Sequence, residues 1–501
     1  MRSSTVSLLH FLLFSYESYA LKLSISRPPT SQRSSGLKRP KASADVDNNI
    51  INKSNERYTA NITISGRVVN VALDTGSTDL WVMPPEGLPS FNDTSLNATL
   101  RYGDGSDFVT GDIGVGKFEL GTEIVIPQQA FLNVREAASA EQPDFDDGIF
   151  GLWGLGFNTP GSSGINDAVQ DAFGSSTTWG QSVLANIFAA HPTGDDYIGI
   201  SLSRSGDTAG TSDASLTISE YDSDYEAVAN TPKIPQNPLN SGAWTVTLDA
   251  ISVGGKKVTW PSTMRQAPTG KNIVHLDTGT TNIMMPAAQV RAIYSSIPGA
   301  VLSPDSQIPL TKFSTTYDVW VVPCNASVEV VATFGGVDFP IHPLDVTDMQ
   351  IVTSPDGRRN YTMCIGTFTD VGTIVQGASD ALFGDTFMRN AYSGPFNFGT
   401  GGNTKGDPFV QLLPQTDAKK AAADIVSVRQ ALMANMPPEL DPVELVRIFN
   451  GTEPSGNTGS PARGGSGGGG GGGGTNGSVG STIPSLLLAG VVSLLAVISS
   501  I

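Results

Sequence analysis

Leu73-Asp74-Thr75-Gly76-Ser77-Thr78-Asp79-Leu80-Trp81-Val82 and His275-Leu276-Asp277-Thr278-Gly279-Thr280-Thr281 are two renderings of one pattern. In front of each Asp-Thr-Gly lies a mainly apolar run, Val68 to Leu73 and Ile273 to Leu276, and behind it a hydroxyl pair. Farther along, each half adds two apolar residues and a glycine: Ile149-Phe150-Gly151 in the first, Leu382-Phe383-Gly384 in the second. A strand, a tight turn bearing a carboxylate and a buried return strand are therefore specified twice. Two carboxylates delivered symmetrically to one place can make an acid and a base from identical residues.

The rest of the chain suits a β protein. Hydrophobic residues make up 39 % and charged residues only 15 %, with 56 glycines, a balance that fits many short strands and turns better than helices. Tyr58-Thr-Ala-Asn-Ile-Thr-Ile, Val68-Val-Asn-Val-Ala-Leu, Trp244-Thr-Val-Thr-Leu and Ala250-Ile-Ser-Val alternate or run β-branched, cut by turns such as Gly254-Gly255. Helical signals are short, at Gln181 to Ala190 and at Ala287 to Ser296 behind Pro286. A net charge of -17 excludes a nucleic-acid partner, because phosphate contacts need clustered Lys and Arg.

Both ends carry addressing signals. Residues 1–20 have Arg2 near the start, an apolar stretch from Val6 to Phe14 and Ser18-Tyr19-Ala20 as a small-x-small cleavage site, the pattern of a secretory signal peptide. Residues 479–501 end in an apolar tail, Leu486 to Ile501, behind a glycine-rich linker (453–478) and the small residues Asn476-Gly477-Ser478. That order is a glycolipid-anchor signal with attachment at Asn476, Gly477 or Ser478, which makes the membrane a partner through the anchor. A true C-terminal membrane helix is the alternative. Residues 21–56 carry Lys22, Arg27, Arg33, Lys38, Arg39 and Lys41 before the first acidic residue, in an otherwise acidic chain. They read as a basic pro-segment or N-terminal arm covering an acidic cleft. Secretion makes Cys324 and Cys364 a disulfide, worth roughly a few kcal/mol, and offers the sequons at Asn52, Asn61, Asn92, Asn97, Asn325, Asn360 and Asn450 for glycosylation. Residues 415–452 read as a helical appendage or stalk.

Taken together, the duplicated motif, Tyr102-Gly103-Asp104-Gly105-Ser106, Asp147-Gly-Ile-Phe-Gly-Leu and Leu382-Phe-Gly-Asp-Thr-Phe-Met-Arg-Asn resemble a pepsin-like aspartic protease over about residues 57–413. With the anchor signal, the chain is similar to fungal surface-attached members. The resemblance implies a mostly β, bilobal double β-barrel with a catalytic cleft between an N-terminal lobe (57–235) and a C-terminal lobe (236–414). It implies a monomeric endopeptidase acting on extended polypeptides without a cofactor, with Asp74 and Asp277 as catalytic dyad. Thr75 and Thr278 are expected to bond across the lobe boundary. Gly76 and Gly279 would let backbone N–H groups approach the carboxylates, and Ser77 and Thr280 would donate to their outer oxygens. Tyr102, Gly103 and Asp104 resemble the tip of a flap, the Tyr102 hydroxyl meeting the indole N–H of Trp81 and Asp104 facing the pocket to pair with a substrate lysine or arginine.

Departures from the family pattern are visible. No cysteine pair follows the first motif, and extra glycines between Gly148 and Gly156 blur the register of the first return strand. The four histidines, His10, His191, His275 and His342, form no metal-binding spacing, and His275 is expected to be structural on the strand before Asp277. A catalytically silent peptide-binding relative and a glycan-coated wall protein are the competing readings. Loss of either aspartate or of the flap tyrosine would favour the first, and all three are present; the second does not explain two Asp-Thr-Gly turns.

Overall fold

The computed structural model describes residues 21–24, 51–53, 55, 57–192, 194–204, 214–310, 318–372, 378–401 and 405–451. The expected signal peptide, the linker, Asn476 and the anchor tail lie outside the described residues, as does most of the basic arm.

The first half builds an eight-stranded sheet from residues 51–154. Strand Arg57–Ile64 shows why: Tyr58, Ala60, Ile62 and Ile64 alternate inward and are all buried. Thr63 and Ile64 pair with Glu119 and Phe118, which closes six of these strands into a ring around Trp153, Phe118 and Phe131. Strand Arg67–Asp74 delivers Asp74 and runs parallel to Gly151–Gly154, which lies antiparallel to Leu80–Val82.

The second half repeats this weave. Asn272–Leu276 delivers Asp277 and runs parallel to Ala381–Phe383, which is antiparallel to Ile283–Met285. The repeat corrects one expected correspondence. Leu73 pairs with Trp153 and Leu276 with Phe383, so the counterpart of Leu382-Phe383-Gly384 is Leu152-Trp153-Gly154, not Ile149-Phe150-Gly151. The ambiguity has a steric origin. A Cβ on Gly154 would lie 2.4 Å from the Thr78 carbonyl carbon, and one on Gly151 would lie 2.4 Å from the Trp81 oxygen, so both positions demand glycine.

A six-stranded sheet joins the halves. Tyr197–Ser201 and Ser215–Ile218 come from the first part of the chain, Ala391–Asn397 and Phe409–Pro414 from the last. The backbone of Leu21–Ser24 forms its outer strand against Ser215–Ile218. Trp244 sits over this floor, packed on Phe157, Phe396 and Phe398, and its indole donates to the Leu155 carbonyl.

The expected helices form at Val183–Ala190 and Ala287–Tyr294, and an additional one runs from Gly164 to Phe173. Residues 415–451 contain helices Ala418–Met433 and Pro442–Asn450, which lie against the second half of the molecule. Leu445 and Val446 are fully buried among Val301, Val319, Val321 and Met363. Arg429 donates to the Thr347 carbonyl at 2.6 Å, and Glu439 accepts from the Cys324 N–H at 2.8 Å. Cys324 and Cys364 form the expected disulfide, tying the turn after Val319–Val322 to the neighbouring strand Asn360–Gly366.

Asn325, Asn360, Asn92 and Asn97 are exposed, and Asn61 is half-buried, accepting from the Asn70 side chain. Asn450 donates to the Pro304 carbonyl and accepts from the Gln307 N–H. Asn52 lies on the strand Ile51–Lys53.

Candidate active site

Each Asp-Thr-Gly is a turn at the end of a buried strand, and the two turns brace each other. The Thr75 N–H donates to Thr278 Oγ1 and the Thr278 N–H to Thr75 Oγ1, both at 3.0 Å. Each hydroxyl then donates onward across the boundary, Thr75 to the Leu276 carbonyl at 3.0 Å and Thr278 to the Leu73 carbonyl at 2.8 Å. Four buried hydrogen bonds thus fix the separation of the strand ends that carry Asp74 and Asp277. Neutral backbone partners make this bracing independent of pH.

Asp74 and Asp277 are completely buried and face each other within hydrogen-bonding range. Their inner oxygens accept from the Gly76 N–H at 2.7 Å and the Gly279 N–H at 2.8 Å. Their outer oxygens accept from Ser77 and, at 2.7 Å, from Thr280. Gly76 must lack a side chain, since a Cβ there would lie 2.4 Å from an Asp277 oxygen. Burial first, and the Asp74 charge second, push the Asp277 carboxyl well above the ordinary carboxylate value, against the pull of Thr280 and Gly279. Such a pair holds one proton between two carboxylates and titrates as a unit.

Residues 92–120 form the hairpin over this site, with strands Asn92–Tyr102 and Asp107–Leu120. Gly103 and Gly105 adopt positive φ at its tip, which side chains disfavour. Two expectations about it need correction. The Trp81 indole N–H meets no acceptor, so the expected bond to the Tyr102 hydroxyl is absent. Both rings belong to one apolar cluster with Leu100, Leu132 and Leu152, and that packing, not their polar tips, sets their orientation. Asp104 does not face the pocket: it is exposed, and one oxygen accepts from the N–H and hydroxyl of Ser106 at 2.9 and 2.6 Å. A short Asx turn satisfies it locally.

Other residues, which no motif marked, line the recess beneath the hairpin. Arg57, Trp81, Tyr102, Asp107, Glu141 and Asp144 surround it, with Gly279 of the second turn as its floor. Arg57 pairs with Asp144 at 3.1 Å and donates to the Gly279 carbonyl at 3.3 Å and Thr281 Oγ1 at 3.2 Å. It therefore spans both halves beside the dyad. Asp385, directly after the second return strand, is buried with both oxygens lacking a partner, and burial raises its carboxyl well above the ordinary value. Asp79 accepts from the Ser163 hydroxyl and the Gly164 N–H at the start of helix Gly164–Phe173, and burial moves it up to about 6. His275 is buried on its strand with Nε2 unpartnered, and desolvation lowers it to about 4. Among the described residues, no three His, Cys, Asp or Glu side chains converge on a metal-binding geometry.

Comparison with known proteins agrees with this geometry. The sequence profile for "Eukaryotic aspartyl protease" matches residues 84–403, beginning after the first Asp-Thr-Gly, so it is the bracing described above that joins Asp74 to Asp277. The "Aspartic protease" of Phaffia rhodozyma is 28 % identical over 363 residues, covering 68 % of this chain and 74 % of that one. Penicillopepsin-3 of Penicillium janthinellum is 24 % identical over 356 residues, 67 % of this chain and 74 % of its own. The crystal structure of the aspartic proteinase from Irpex lacteus superposes with a TM-score of 0.52 at 16 % identity, over 74 % of this chain and 97 % of that one, which shows the shared bilobal fold. The chain belongs to the eukaryotic aspartyl protease family and is an aspartic-type endopeptidase.

Proposed function

We propose that the protein hydrolyses extended polypeptides at acid pH, with Asp74 and Asp277 activating a water held between them, and that it does so at the cell surface. The observation that carries the catalytic reading is the reciprocal threonine bracing, which holds two buried carboxylates face to face. The ionised member of the pair takes a proton from the water, which attacks the peptide carbonyl carbon. The protonated member hydrogen-bonds the carbonyl oxygen as charge builds on it and later supplies a proton as the tetrahedral intermediate breaks down. Microscopic roles are not assigned to either aspartate, because the proton belongs to the pair. Ser77 and Thr280 keep the outer oxygens oriented, and the Tyr102 hairpin covers the substrate and excludes bulk water.

Acid operation follows from the shared proton, since the pair works only while singly ionised. Cleavage of an unstructured protein by the ectodomain is expected at roughly pH 3 to 5, with inhibition by a statine-type transition-state mimic. Asp277→Asn should lose at least about 10³-fold in kcat/KM. A variant that cuts like the parent would overturn the dyad.

Surface display is supported by the signal-peptide pattern at residues 1–20 and the small-residue, linker and tail order ending at residue 501. Treating intact cells with a phosphatidylinositol-specific phospholipase should release the enzyme; retention after treatment would favour a membrane helix. The basic arm is read as a pro-segment. Its first strand, Leu21–Ser24, lies on the sheet shared by both halves, and Ile51–Lys53 pairs with Arg57–Thr59, so both ends of the arm rest on the body they would mask.

A further inference from the structure

The threonine bracing fixes the strand ends beneath Asp74 and Asp277 and stops at Thr278. Beyond it, the second turn is gripped by Arg57 of the first half. Arg57 Nη1 donates to the Gly279 carbonyl at 3.3 Å and to Thr281 Oγ1 at 3.2 Å, while Nε pairs with Asp144 at 3.1 Å. The two acceptors flank Thr280, whose hydroxyl donates to the outer oxygen of Asp277 at 2.7 Å. The Gly279 N–H, by contrast, belongs to the peptide next to the braced Thr278 and needs no further support. The Arg57 side chain is 11 % exposed and that of Asp144 16 %, so bulk water competes little for these bonds.

The grip is one-sided. Thr59 pairs with Ala72 and Thr245 with His275, each partner lying two residues before its catalytic aspartate. The counterpart of Arg57 in the second half is therefore Ala243, whose buried methyl can donate nothing. Thr78, the counterpart of Thr281, instead donates its hydroxyl to the Phe157 carbonyl of its own half at 2.9 Å. Two turns with the same Asp-Thr-Gly sequence are thus held differently, and the second takes a charged side chain from the opposite half.

Resting on the dyad reading above, we propose that Arg57 is a positioning residue for hydrolysis: clamped by Asp144, it locks Gly279 and Thr281 so that the Thr280 hydroxyl stays aimed at Asp277. A segment without this grip would let the hydroxyl swing off the carboxylate, weakening its support of the ionised pair. Arginine suits the task, because its planar fork presents several donors in fixed directions, whereas lysine offers one compact charge. Glu141, Asp107 and Asp385 also stand around the guanidinium, and Asp74 faces Asp277. Loss of the positive charge by itself would therefore raise carboxyl values nearby, and position has to be separated from charge.

The measurement is kcat, KM and the pH–kcat profile on one quenched peptide for wild type, Arg57→Met, Arg57→Lys, Thr280→Ala and Arg57→Met/Thr280→Ala. Arg57→Met should lower kcat about fivefold or more, leave KM within about twofold of wild type and move the alkaline limb upward. Arg57→Lys, which keeps the charge but loses the fork, should behave like Arg57→Met. In the double variant, kcat should lie within about twofold of Thr280→Ala alone, because the arginine acts through that hydroxyl. The proposal is overturned by a double variant that multiplies the two losses, by Arg57→Lys equal to wild type, or by an Arg57→Met loss confined to KM. Thr281→Val removes one gripped group without changing charge and serves if the Arg57 variants do not fold. Its alkaline limb should shift in the same direction, and an unmoved limb sinks the proposal. None of these outcomes removes the dyad, which falls instead if wild type cuts no faster than Asp277→Asn.

Discussion

Asp277 depends on one hydroxyl for its outer oxygen. Thr280 Oγ1 donates to it at 2.7 Å, favouring the ionised form against burial and the Asp74 charge. Removing that donor raises the pair's second ionisation. Thr280→Ala should therefore move the alkaline limb of the pH–kcat profile upward and lower kcat by about tenfold. An unmoved limb would mean that the hydroxyl only fills space. Residue roles within the two turns were readable from sequence because each is local: the bond from Gly279 N–H to Asp277 spans two positions and that from Thr280 spans three. Asp107, Glu141 and Arg57 were not readable. Arg57 reaches Gly279 over 222 positions, and no short motif encodes such an encounter.

Among the elements, the two C-terminal helices are held on the second half by buried side chains. Helix Pro442–Asn450 is capped by Asp441, whose carboxylate accepts from the Val443 N–H, and it inserts Leu445 into the cluster around Val301 and Met363. Leu445→Ala should cost about 2–5 kcal/mol in urea unfolding, with kcat for peptide hydrolysis by the folded fraction unchanged, because the cluster shares no residue with the recess. A loss under about 1 kcal/mol would mean the helix is only loosely held. The propensity of Ala418–Met433 for helix was legible, whereas its docking was not, since Arg429 finds the Thr347 carbonyl only after the second half has folded. The return-strand register shows the same limit. Gly151 and Gly154 are both sterically required, so composition offered two frames and pairing with Leu73 selected one.

For the whole molecule, buried acids, opposed by His275 with its value lowered to about 4 by desolvation, set the dependence of stability on pH. Asp79 and Asp107 have carboxyls raised from 3.8 to about 6, and Glu141 from 4.5 to about 8. Because the folded values are raised, their stabilising contribution is complete below the unfolded values and is lost as pH climbs through the folded ones. Asp345 acts oppositely: clamped by Arg204 and Arg389, it stays well below the ordinary carboxylate value, so its contribution persists far into acid. Thermal unfolding of the protein should show Tm falling by roughly 5 °C or more between about pH 4 and 8. A Tm that holds or rises over that range would show that these carboxyls are not buried as described.

Sequence by itself determined the β class, the two carboxylate turns, the hydroxyl and glycine that serve each, the paired cysteines and the helical character of residues 418–450. All of these depend on spacing within a turn, on periodicity along a strand or on composition. Tertiary structure alone decided the register of the first return strand, the local satisfaction of Asp104, the unpaired indole of Trp81 and the assembly of Arg57, Asp107, Glu141 and Asp144 under the hairpin. Burial and encounter across long stretches of chain govern those, and desolvation, unlike spacing, leaves no mark on the order of residues.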